Sequence, residues 1–290
     1  MKQKNLGKST LEVSRIGYGT YKLGGYGWPG ANLTMQHKLL EIAYEGGINF
    51  FDTAPIYGYG KSEALIGEVF LNQRDKIVIA TKCGFYFENK QKAKKDLSYD
   101  SIMWSVEGSL KRMKTDYIDL LQIHYYDDKT PFNEVSRTLK KLRNEGVVKY
   151  FGVSNCSQAI LKKASEQLKI ITVQDEYSMM NRNVEENSLR FATEKDIAFI
   201  AYSPFVQGIF FENKHAIIHE KDVRNFHPFY NNKKKYDVCL AEVGKLEAPI
   251  RVMLNFLLEK PGVFPIFSTT NSEHLKENIK ITNELLEEKR

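Results

Sequence analysis

Short apolar runs rich in β-branched and aromatic residues recur along the chain, and a stretch with helical periodicity follows most of them. Eight runs predict strands, at residues 16–20, 48–54, 77–84, 117–124, 150–155, 172–177, 198–204 and 263–269. The stretches between them predict amphipathic helices, among them 34–44, 62–71, 99–113, 132–144, 158–168 and 248–260. Alternating strands and helices indicate βα units and a parallel sheet. Eight such units predict a closed (β/α)8 TIM barrel rather than an open, doubly wound sheet.

Two segments stand outside this repeat. Residues 1–15 predict a short N-terminal β-hairpin that turns at Gly7 and Lys8 and covers the barrel floor. Residues 205–245 show no clear helical periodicity and follow a strand end at the barrel mouth, where βα loops build active sites. We interpret this segment as a loop that orders over a bound cofactor. Its other notable side chains are interpreted as surface residues: His215, His219, His227 and the lysines at 233–235.

The composition is that of an ordinary enzyme domain. Of the 290 residues, 27% are charged and 42% hydrophobic. Because α/β barrels of this length form one domain, residues 1–290 are expected to be a single barrel domain. No apolar run approaches the about 18 residues of a membrane span, and the start MKQKNLGKST lacks the apolar stretch of a signal peptide. A cytoplasmic location with free thiols is favoured, because Cys83, Cys156 and Cys239 form no C-x-x-C pair.

The net charge of +6 is spread over helical patterns such as LKKASEQLK and SLKRMKTD. Such patterns are typical of solvated helix faces, so they predict no nucleic-acid partner. A cationic excess in one cleft would still attract a phosphorylated cofactor.

The segment FDTAPIYGYGKSEALIG contains Gly60-Lys61-Ser62, which matches the end of a phosphate-binding P-loop. A P-loop needs glycine at the position of Pro55, so that backbone N–H groups face the phosphate, and this excludes the motif. No G-x-G-x-x-G opens a helix after the first strand, so a Rossmann site is excluded as well. We interpret the segment as a strand that ends at Asp52, a turn that exposes Tyr57, and a helix with Ser62 at its N-cap.

Four chemically active side chains fall near predicted strand ends: Asp52, Tyr57, Lys82 in IVIATKCGF and His124 in TDYIDLLQIHYYD. Singly, each has an ordinary interpretation, such as a capping aspartate or a lysine that reaches the rim. Together they are expected on one face, because the C-terminal ends of barrel strands meet there.

The four residues make a proton-donating set. A tyrosine is a general acid near neutral pH only if something lowers its pKa from about 10. We predict that the Lys82 ammonium lowers the pKa of Tyr57 by stabilising the phenolate, and that Asp52 keeps the ammonium charged. His124 is placed to hydrogen-bond the oxygen that receives the proton. Since the set has no activated nucleophile and no metal-ligand cluster, it favours reduction of a carbonyl over hydrolysis.

Further motifs follow one another from the first strand to the C-terminal region: GYGTYKLGG, FDTAPIYGYGKSEALIG, ATKCG, SLKRMKTDYIDLLQIH, VKYFGVSN, VQDEYSMMNR, AYSPFVQG and PIFSTTNSEHLKENI. With them the chain resembles the aldo-keto reductase family over nearly its whole length. The resemblance implies an NADP-dependent oxidoreductase on a (β/α)8 barrel, with NADPH preferred and NADH as the alternative cofactor. It also implies a small-molecule carbonyl substrate, an aldehyde, ketone or keto-sugar, no metal, and a monomer or small homo-oligomer.

The resemblance further implies roles for single residues. Asp52, Tyr57, Lys82 and His124 match the family's catalytic tetrad, with Tyr57 as proton donor. The nicotinamide end is expected at Gly19, Thr20, Tyr21, Asp52, Ser154, Asn155, Gln174 and Tyr202. The pyrophosphate is expected along Ser203, Pro204, Phe205, Gln207 and Gly208, and the adenosine and 2′-phosphate at Ser268, Thr269, Thr270, Asn271, His274, Glu277 and Asn278. Besides Tyr57 and His124, the substrate is expected to meet Tyr21, Trp28, Phe85 and Tyr125.

Departures from the family pattern bear on ligand choice. Phe267-Ser268 stands where members often carry Pro-Gly or Pro-Lys, and His274 where they carry Arg or Gln, so we predict only a modest preference for NADPH. The stretch TTNSEHLKEN opens a helix whose free N–H groups are expected to favour a phosphate. Tyr125-Tyr126 replaces the common Trp-Pro near the substrate pocket and leaves the substrate open. The alternatives are a cofactor-binding regulatory subunit resembling potassium-channel beta subunits, and a metal-dependent barrel hydrolase.

Overall fold

In the computed structural model, which describes residues 1–25, 33–87, 93–208, 223–227, 230 and 232–289, eight parallel strands close into a barrel. A hairpin of β1 (Gln3–Asn5) and β2 (Glu12–Ser14) precedes the barrel, as predicted. The barrel strands are β3 (Gly17–Gly19), β4 (Phe50–Asp52), β5 (Val78–Cys83), β8 (Ile118–Ile123), β9 (Val148–Ser154), β10 (Thr172–Glu176), β11 (Ala198–Tyr202) and β12 (Val263–Phe267). A small hairpin of β6 (Phe85–Tyr86) and β7 (Lys94–Lys95) follows β5. Because β12 pairs with β3, the strands close, and the predicted (β/α)8 barrel is confirmed.

The helices of the described residues follow the barrel strands in sequence, and α9 comes after the last of them. They are α1 (Leu33–Glu45), α2 (Lys61–Val69), α3 (Tyr99–Met113), α4 (Phe132–Asn144), α5 (Gln158–Leu168), α6 (Ser188–Lys195), α7 (Lys233–Gly244), α8 (Pro249–Leu258) and α9 (Ser272–Glu287). The predicted N-cap of α2 is wrong. Gly60 occupies that position, and the Ser62 hydroxyl donates instead to the Thr20 carbonyl at 2.9 Å. In the described part of the chain, no helix has both the length and the apolar character needed to cross a membrane.

The prediction of a helix-free segment after the seventh barrel strand is wrong over α7. The Asn232 side chain caps α7 by accepting from the Lys235 amide, and Cys239 and Val243, four residues apart, bury one face. The lysines at 233–235 fill the exposed first turn and obscure this weak apolar face in the sequence. Short 3-10 turns lie at Val206–Gly208 and Val223–Phe226. Of the segment 205–245 that was proposed to cover the cofactor, residues 209–222, with His215 and His219, and residues 228, 229 and 231 lie outside the described residues.

The barrel interior is layered. At its floor, apolar side chains of the hairpin, including Leu6 and Val13, pack against inward residues such as Phe50, Ala80 and Leu120. Side chains two residues further along a strand point to the same side. The next layer towards the mouth therefore contains the residues that follow these apolar positions by two, and it is polar: Asp52 on β4, Lys82 on β5, Gln122 on β8. The site is built on this polar layer.

Candidate active site

The four residues predicted for proton donation lie together at the C-terminal end of the barrel. Asp52 ends β4, Lys82 is the penultimate residue of β5, His124 follows β8, and Tyr57 lies in the turn before α2. The Lys82 ammonium donates to Asp52 Oδ1 at 2.7 Å and to Tyr57 Oη at 3.2 Å. The rings of Tyr57 and His124 are perpendicular, with centroids 5.9 Å apart.

The hydrogen bonds of Lys82 fix the direction of the Tyr57 hydroxyl. An ammonium has three N–H donors and no acceptor. Lys82 places its donors on Asp52, on Tyr57 and, at 2.9 Å, on the Thr53 carbonyl. Tyr57 Oη is the acceptor in its bond with Lys82, so the phenol hydrogen points away from the ammonium. Tyr57 lines the cleft at the barrel mouth, where that hydrogen is available to a ligand.

Asp52 is buried but fully paired. Its Oδ1 accepts from Lys82, and its Oδ2 accepts from Gln174 Nε2 at 2.9 Å and from Gln122 Nε2 at 3.3 Å. The side chains of Lys82 and Asp52 are only 1% and 3% exposed. A buried charge is tolerated when it is paired and hydrogen-bonded, and this arrangement meets both conditions.

The pKa values of the site differ from the prediction in one respect. Burial raises the pKa of Tyr57 well above its ordinary value, and the negative charge of Asp52 adds to the rise, so the predicted net lowering by Lys82 is wrong. Burial lowers the pKa of Lys82, against the opposing effect of Asp52. Burial, together with the charge of Lys82, puts the pKa of His124 well below its ordinary value. At neutral pH the site therefore presents a neutral phenol and a neutral imidazole.

A cleft with a volume of about 630 Å³ opens over these residues. It is lined by most of the residues predicted to bind cofactor: Gly19, Tyr21, Asp52, Ser154, Asn155, Gln174, Tyr202, Ser203, Pro204, Phe205, Gln207, Gly208, Ser268, Thr269, Thr270, Asn271, His274 and Asn278. The aromatic residues Phe85 and Tyr125 line it too. Two predicted residues do not line the cleft: Thr20 is buried beneath it and Glu277 is exposed. Trp28 lies outside the described residues.

The polar groups at the deep end of the cleft suit a carboxamide. Gln174 turns its Nε2 towards the Asp52 carboxylate, which only accepts hydrogen bonds, so its Oε1 is the atom left to accept from a ligand. Ser154 Oγ accepts from Asn155 Nδ2 at 2.8 Å and keeps its own hydroxyl hydrogen to donate. One acceptor and one donor are what the NH2 and C=O of a primary amide require. Tyr202 lies beside them and donates to Asn155 Oδ1 at 2.9 Å.

Within the described part of the chain, two buried side-chain oxygens further along the cleft lack a hydrogen-bond partner. Gln207 Oε1 and Asn278 Oδ1 line it and have no hydrogen-bond partner among the described residues. Buried polar atoms are normally paired, so each of these acceptors fits a donor group supplied by a ligand. An adenine amino group and ribose hydroxyls are donors of this kind. The residues present therefore fit a nicotinamide dinucleotide.

The N-terminus of α9 is less open to a phosphate than the sequence suggested. Asn271 Oδ1 caps the helix, accepting from the amides of Glu273 at 2.8 Å and His274 at 3.2 Å. Because these two N–H groups are already bonded, they are not free donors. The helix end therefore offers a phosphate fewer free N–H groups than predicted, and His274 is a side chain there that lines the cleft.

Sequence reasoning missed several residues that line the cleft: Lys22, Ile56, Glu176, His227, Ile266 and Phe267. His227 was interpreted as a surface residue, but its side chain is 6% exposed and its Nε2 lies 2.9 Å from Glu176 Oε1. Glu176 could have been found, because it follows Gln174 by two on one strand and so faces the same side. No sequence signal pairs His227 with it, since 50 residues separate the two positions along the chain.

The surroundings of the thiols near the site disfavour the thiolate form. Cys83 is buried, and its burial raises the pKa of the thiol to about 12. Burial and the charge of Asp175 raise the pKa of Cys156 to about 12 as well. Thiolate is the reactive form, so neither cysteine serves as a nucleophile at neutral pH. Within the described residues, no cluster of His, Cys, Asp and Glu could hold a metal ion.

Comparison with known proteins agrees with this geometry. The sequence profile of the Aldo/keto reductase family matches residues 15–290. The chain is 30% identical to the aldo-keto reductase YhdN of Bacillus subtilis over 90% of this chain and 82% of the relative. It is 33% identical to the probable aldo-keto reductase 1 of Glycine max over 94% of this chain and 82% of the relative. The glycerol dehydrogenase AKR11B4 of Gluconobacter oxydans is a structural neighbour with a TM-score of 0.83 and 27% identity, covering 98% of this chain and 94% of its own. The chain belongs to the aldo/keto reductase family.

Proposed function

We propose that this protein reduces an aldehyde or ketone to the alcohol at the expense of NADPH, with Tyr57 as the proton donor. The family consists of oxidoreductases that use nicotinamide cofactors and act on carbonyl groups. One observation carries the proposal for this chain. The Tyr57 hydroxyl accepts a hydrogen bond from a buried lysine and so turns its own hydrogen towards a cleft of cofactor size.

The side chains divide the reaction between them. When bound, the reduced nicotinamide supplies the hydride that goes to the carbonyl carbon. Negative charge then grows on the carbonyl oxygen, and Tyr57 Oη transfers its proton there. An alkoxide is a much stronger base than a phenolate, so Tyr57 needs no lowered pKa to give up its proton. Lys82 stabilises the phenolate that remains, and neutral His124 hydrogen-bonds the same oxygen. The products are the alcohol and the oxidised cofactor, and a proton taken up from solvent restores the Tyr57 phenol, so the overall reaction consumes one proton.

Cofactor binding is assigned to the polar rim of the cleft. Ser154 and Gln174 are proposed to hold the carboxamide, and Tyr202 to lie against the nicotinamide ring, as an aromatic face suits a flat heterocycle. At the other end, Lys22 lines the cleft and its backbone amide contacts Ser268 Oγ at 3.4 Å. Lys22 and His274 are the side chains proposed to favour the 2′-phosphate of NADPH, with a modest preference over NADH.

The substrate end is aromatic. The Tyr21 ring lies 4.8 Å from the Tyr57 ring, and the Phe85 ring meets His124 edge to face at 5.1 Å. Tyr125 stacks on His124 with centroids 5.3 Å apart. This wall suits a small aldehyde, ketone or keto-sugar. Similarity to a glycerol dehydrogenase supports testing polyols in the oxidative direction.

A steady-state assay tests the proposal. Purified protein is given NADPH and a panel of small aldehydes, diketones and keto-sugars, and cofactor oxidation is followed by absorbance. Tyr57→Phe is expected to lose about 10²–10⁴-fold in kcat, because only the proton donor is removed, while the Kd for NADPH stays within about twofold. Tyr99→Phe is the matched control, since Tyr99 is 50% exposed on α3 and does not line the cleft.

The outcomes separate the alternatives. Tight NADPH binding without turnover of any carbonyl in the panel would favour the regulatory-subunit alternative. Turnover that survives Tyr57→Phe near the wild-type rate would refute the assignment of the proton donor.

A further inference from the structure

Gln122 lies directly behind the catalytic carboxylate. Its side chain is fully buried in the polar layer of the barrel. Its Nε2 donates to Asp52 Oδ2 at 3.3 Å, and its Oε1 accepts from the Thr172 hydroxyl at 3.4 Å. Asp52 only accepts hydrogen bonds, and a hydroxyl can donate to the remaining amide oxygen, so the orientation of the Gln122 amide is determined.

The glycine in the motif GVSN provides room for this contact. Gly152 on β9 lies between Gln122 on β8 and Thr172 on β10, and it is the register partner of both. A Cβ at Gly152 would lie 2.0 Å from Thr172 Oγ1 and 3.1 Å from Gln122 Cγ. The absence of a side chain on β9 therefore lets the Thr172 hydroxyl reach Gln122.

We propose that Gln122 is a positioning residue of the reductase, which acts on Tyr57 through Asp52 and Lys82. Hydrogen bonds run in one direction from Thr172 to Gln122 to Asp52, and Lys82 links Asp52 to Tyr57. Gln122 holds the carboxylate in place and prevents its rotation, so that the ammonium stays on the phenol oxygen. This inference rests on the proposed function, because it assigns a role in the same reaction.

The charged and titratable groups around Gln122 make the effect electrostatic. Asp52 carries the charge that Gln122 contacts, and Lys82 carries the opposite charge. Behind Lys82, the buried carboxylate of Glu63 accepts from Thr81 at 2.6 Å and from Arg112 at 2.7 Å. Removal of the Gln122 donor leaves the charge of Asp52 with one hydrogen bond fewer, and a hydrogen bond to the charged form of an acid favours that form.

Gln122→Met tests this positioning role, because methionine has nearly the size and shape of glutamine but no amide group. We expect kcat for carbonyl reduction to fall about tenfold, the loss of one hydrogen bond to a charged group, with the Kd for NADPH within about twofold because Gln174 is untouched. The acid limb of the kcat profile is expected to move to higher pH. Gln36→Met on α1 is the matched control, a buried glutamine away from the cleft, and it is expected to leave kcat unchanged.

Gln122→Glu gives a readout that a merely structural role would not produce. At low pH the protonated Glu donates to Asp52 as the amide does, so kcat is expected to approach that of the wild type. As pH rises, two carboxylates in contact cannot both ionise freely, and the pair shares one proton before it loses it. Activity is then expected to fall at a pH where the wild type is still active.

The kinetics of these variants test whether Gln122 positions Asp52 for catalysis. A kcat and pH profile of Gln122→Met that match those of the Gln36→Met control would overturn the proposal. So would equal activity of Gln122→Glu across the pH range. If the wild-type protein reduces no carbonyl compound, the proposed function has failed instead, and this is visible before any variant is compared.

Discussion

Replacement of Lys82 by Met separates the structural and catalytic roles of the buried ion pair. The substitution removes the ammonium that contacts Asp52, Thr53 and Tyr57 but keeps an unbranched side chain of similar length. Among the described residues, Asp52 is then left with the two glutamine donors inside the barrel. An unpaired buried charge of this kind costs about 3–5 kcal/mol of unfolding free energy. For a domain of this size, such a loss lowers the Tm by about 10 °C.

Catalysis is expected to fall as well, because no cation remains to stabilise the Tyr57 phenolate. The loss of kcat should be about 10²-fold or more. The double variant Asp52→Asn/Lys82→Met removes the orphaned charge, and the asparagine oxygen can still accept from Gln174 and Gln122. It should regain about 2 kcal/mol or more of stability and none of the activity.

Urea unfolding at constant m and steady-state kinetics measure the two effects. Lys149→Met is the control: Lys149 is 44% exposed in its pair with Asp119, and it should cost no more than about 1 kcal/mol. The reasoning would be refuted by a Lys82→Met variant as stable as this control. A double variant as unstable as Lys82→Met would refute it equally, because the loss would then not come from the stranded charge.

Four shorter predictions follow from the same contacts. Since the pKa of Tyr57 is raised, its phenol stays protonated as pH climbs past about 10, so kcat for reduction should not fall between pH 7 and pH 9; a midpoint in that range would contradict the shift. His274→Arg should raise the NADPH-over-NADH ratio of kcat/KM about tenfold if the side chain faces the 2′-phosphate, because Arg holds phosphate bidentately; an unchanged ratio counts against that position. Iodoacetamide should label Cys83 and Cys156 only after denaturation, as mass spectrometry would show, and rapid labelling of the folded protein would contradict their raised pKa values. Gly152→Ala should lower the unfolding free energy by about 1–3 kcal/mol in urea, because its Cβ meets the side chain on β10, and a neutral effect would mean that this neighbour moves aside.

The fold could be predicted because its signal repeats. Most barrel strands are buried on both faces, as β5 and β8 are along their whole lengths, and apolar residues dominate the runs that predict them. A single run is ambiguous between strand and buried helix, but eight runs that alternate with helical stretches are not. The exception was α7, whose first turn consists of exposed lysines and whose apolar face is two residues, Cys239 and Val243. Tertiary packing and a capping asparagine, rather than pattern, determine that helix.

The proximity of the four catalytic side chains also followed from topology, but their electrostatics did not. Burial and the charge of Asp52 raise the pKa of Tyr57, whereas an ammonium beside a phenol favours the phenolate as a general rule. Which effect is larger depends on depth and distance, and neither is encoded in residue type. The sequence could name the partners of Tyr57 but not the sign of the shift.

The alternation of side chains along a strand predicts contacts in the site that the sequence motifs alone do not. In DLLQIH, Gln122 precedes His124 by two, and in VQDE, Gln174 precedes Glu176 by two, so each pair shares one face of its strand. A polar side chain that points into the barrel near the C-terminal end of a strand needs a hydrogen-bond partner, because an unpaired buried amide is costly. The partner here is Asp52, which both glutamines contact. A polar residue two positions before a catalytic strand end is thus the feature by which the residue behind the site could have been found.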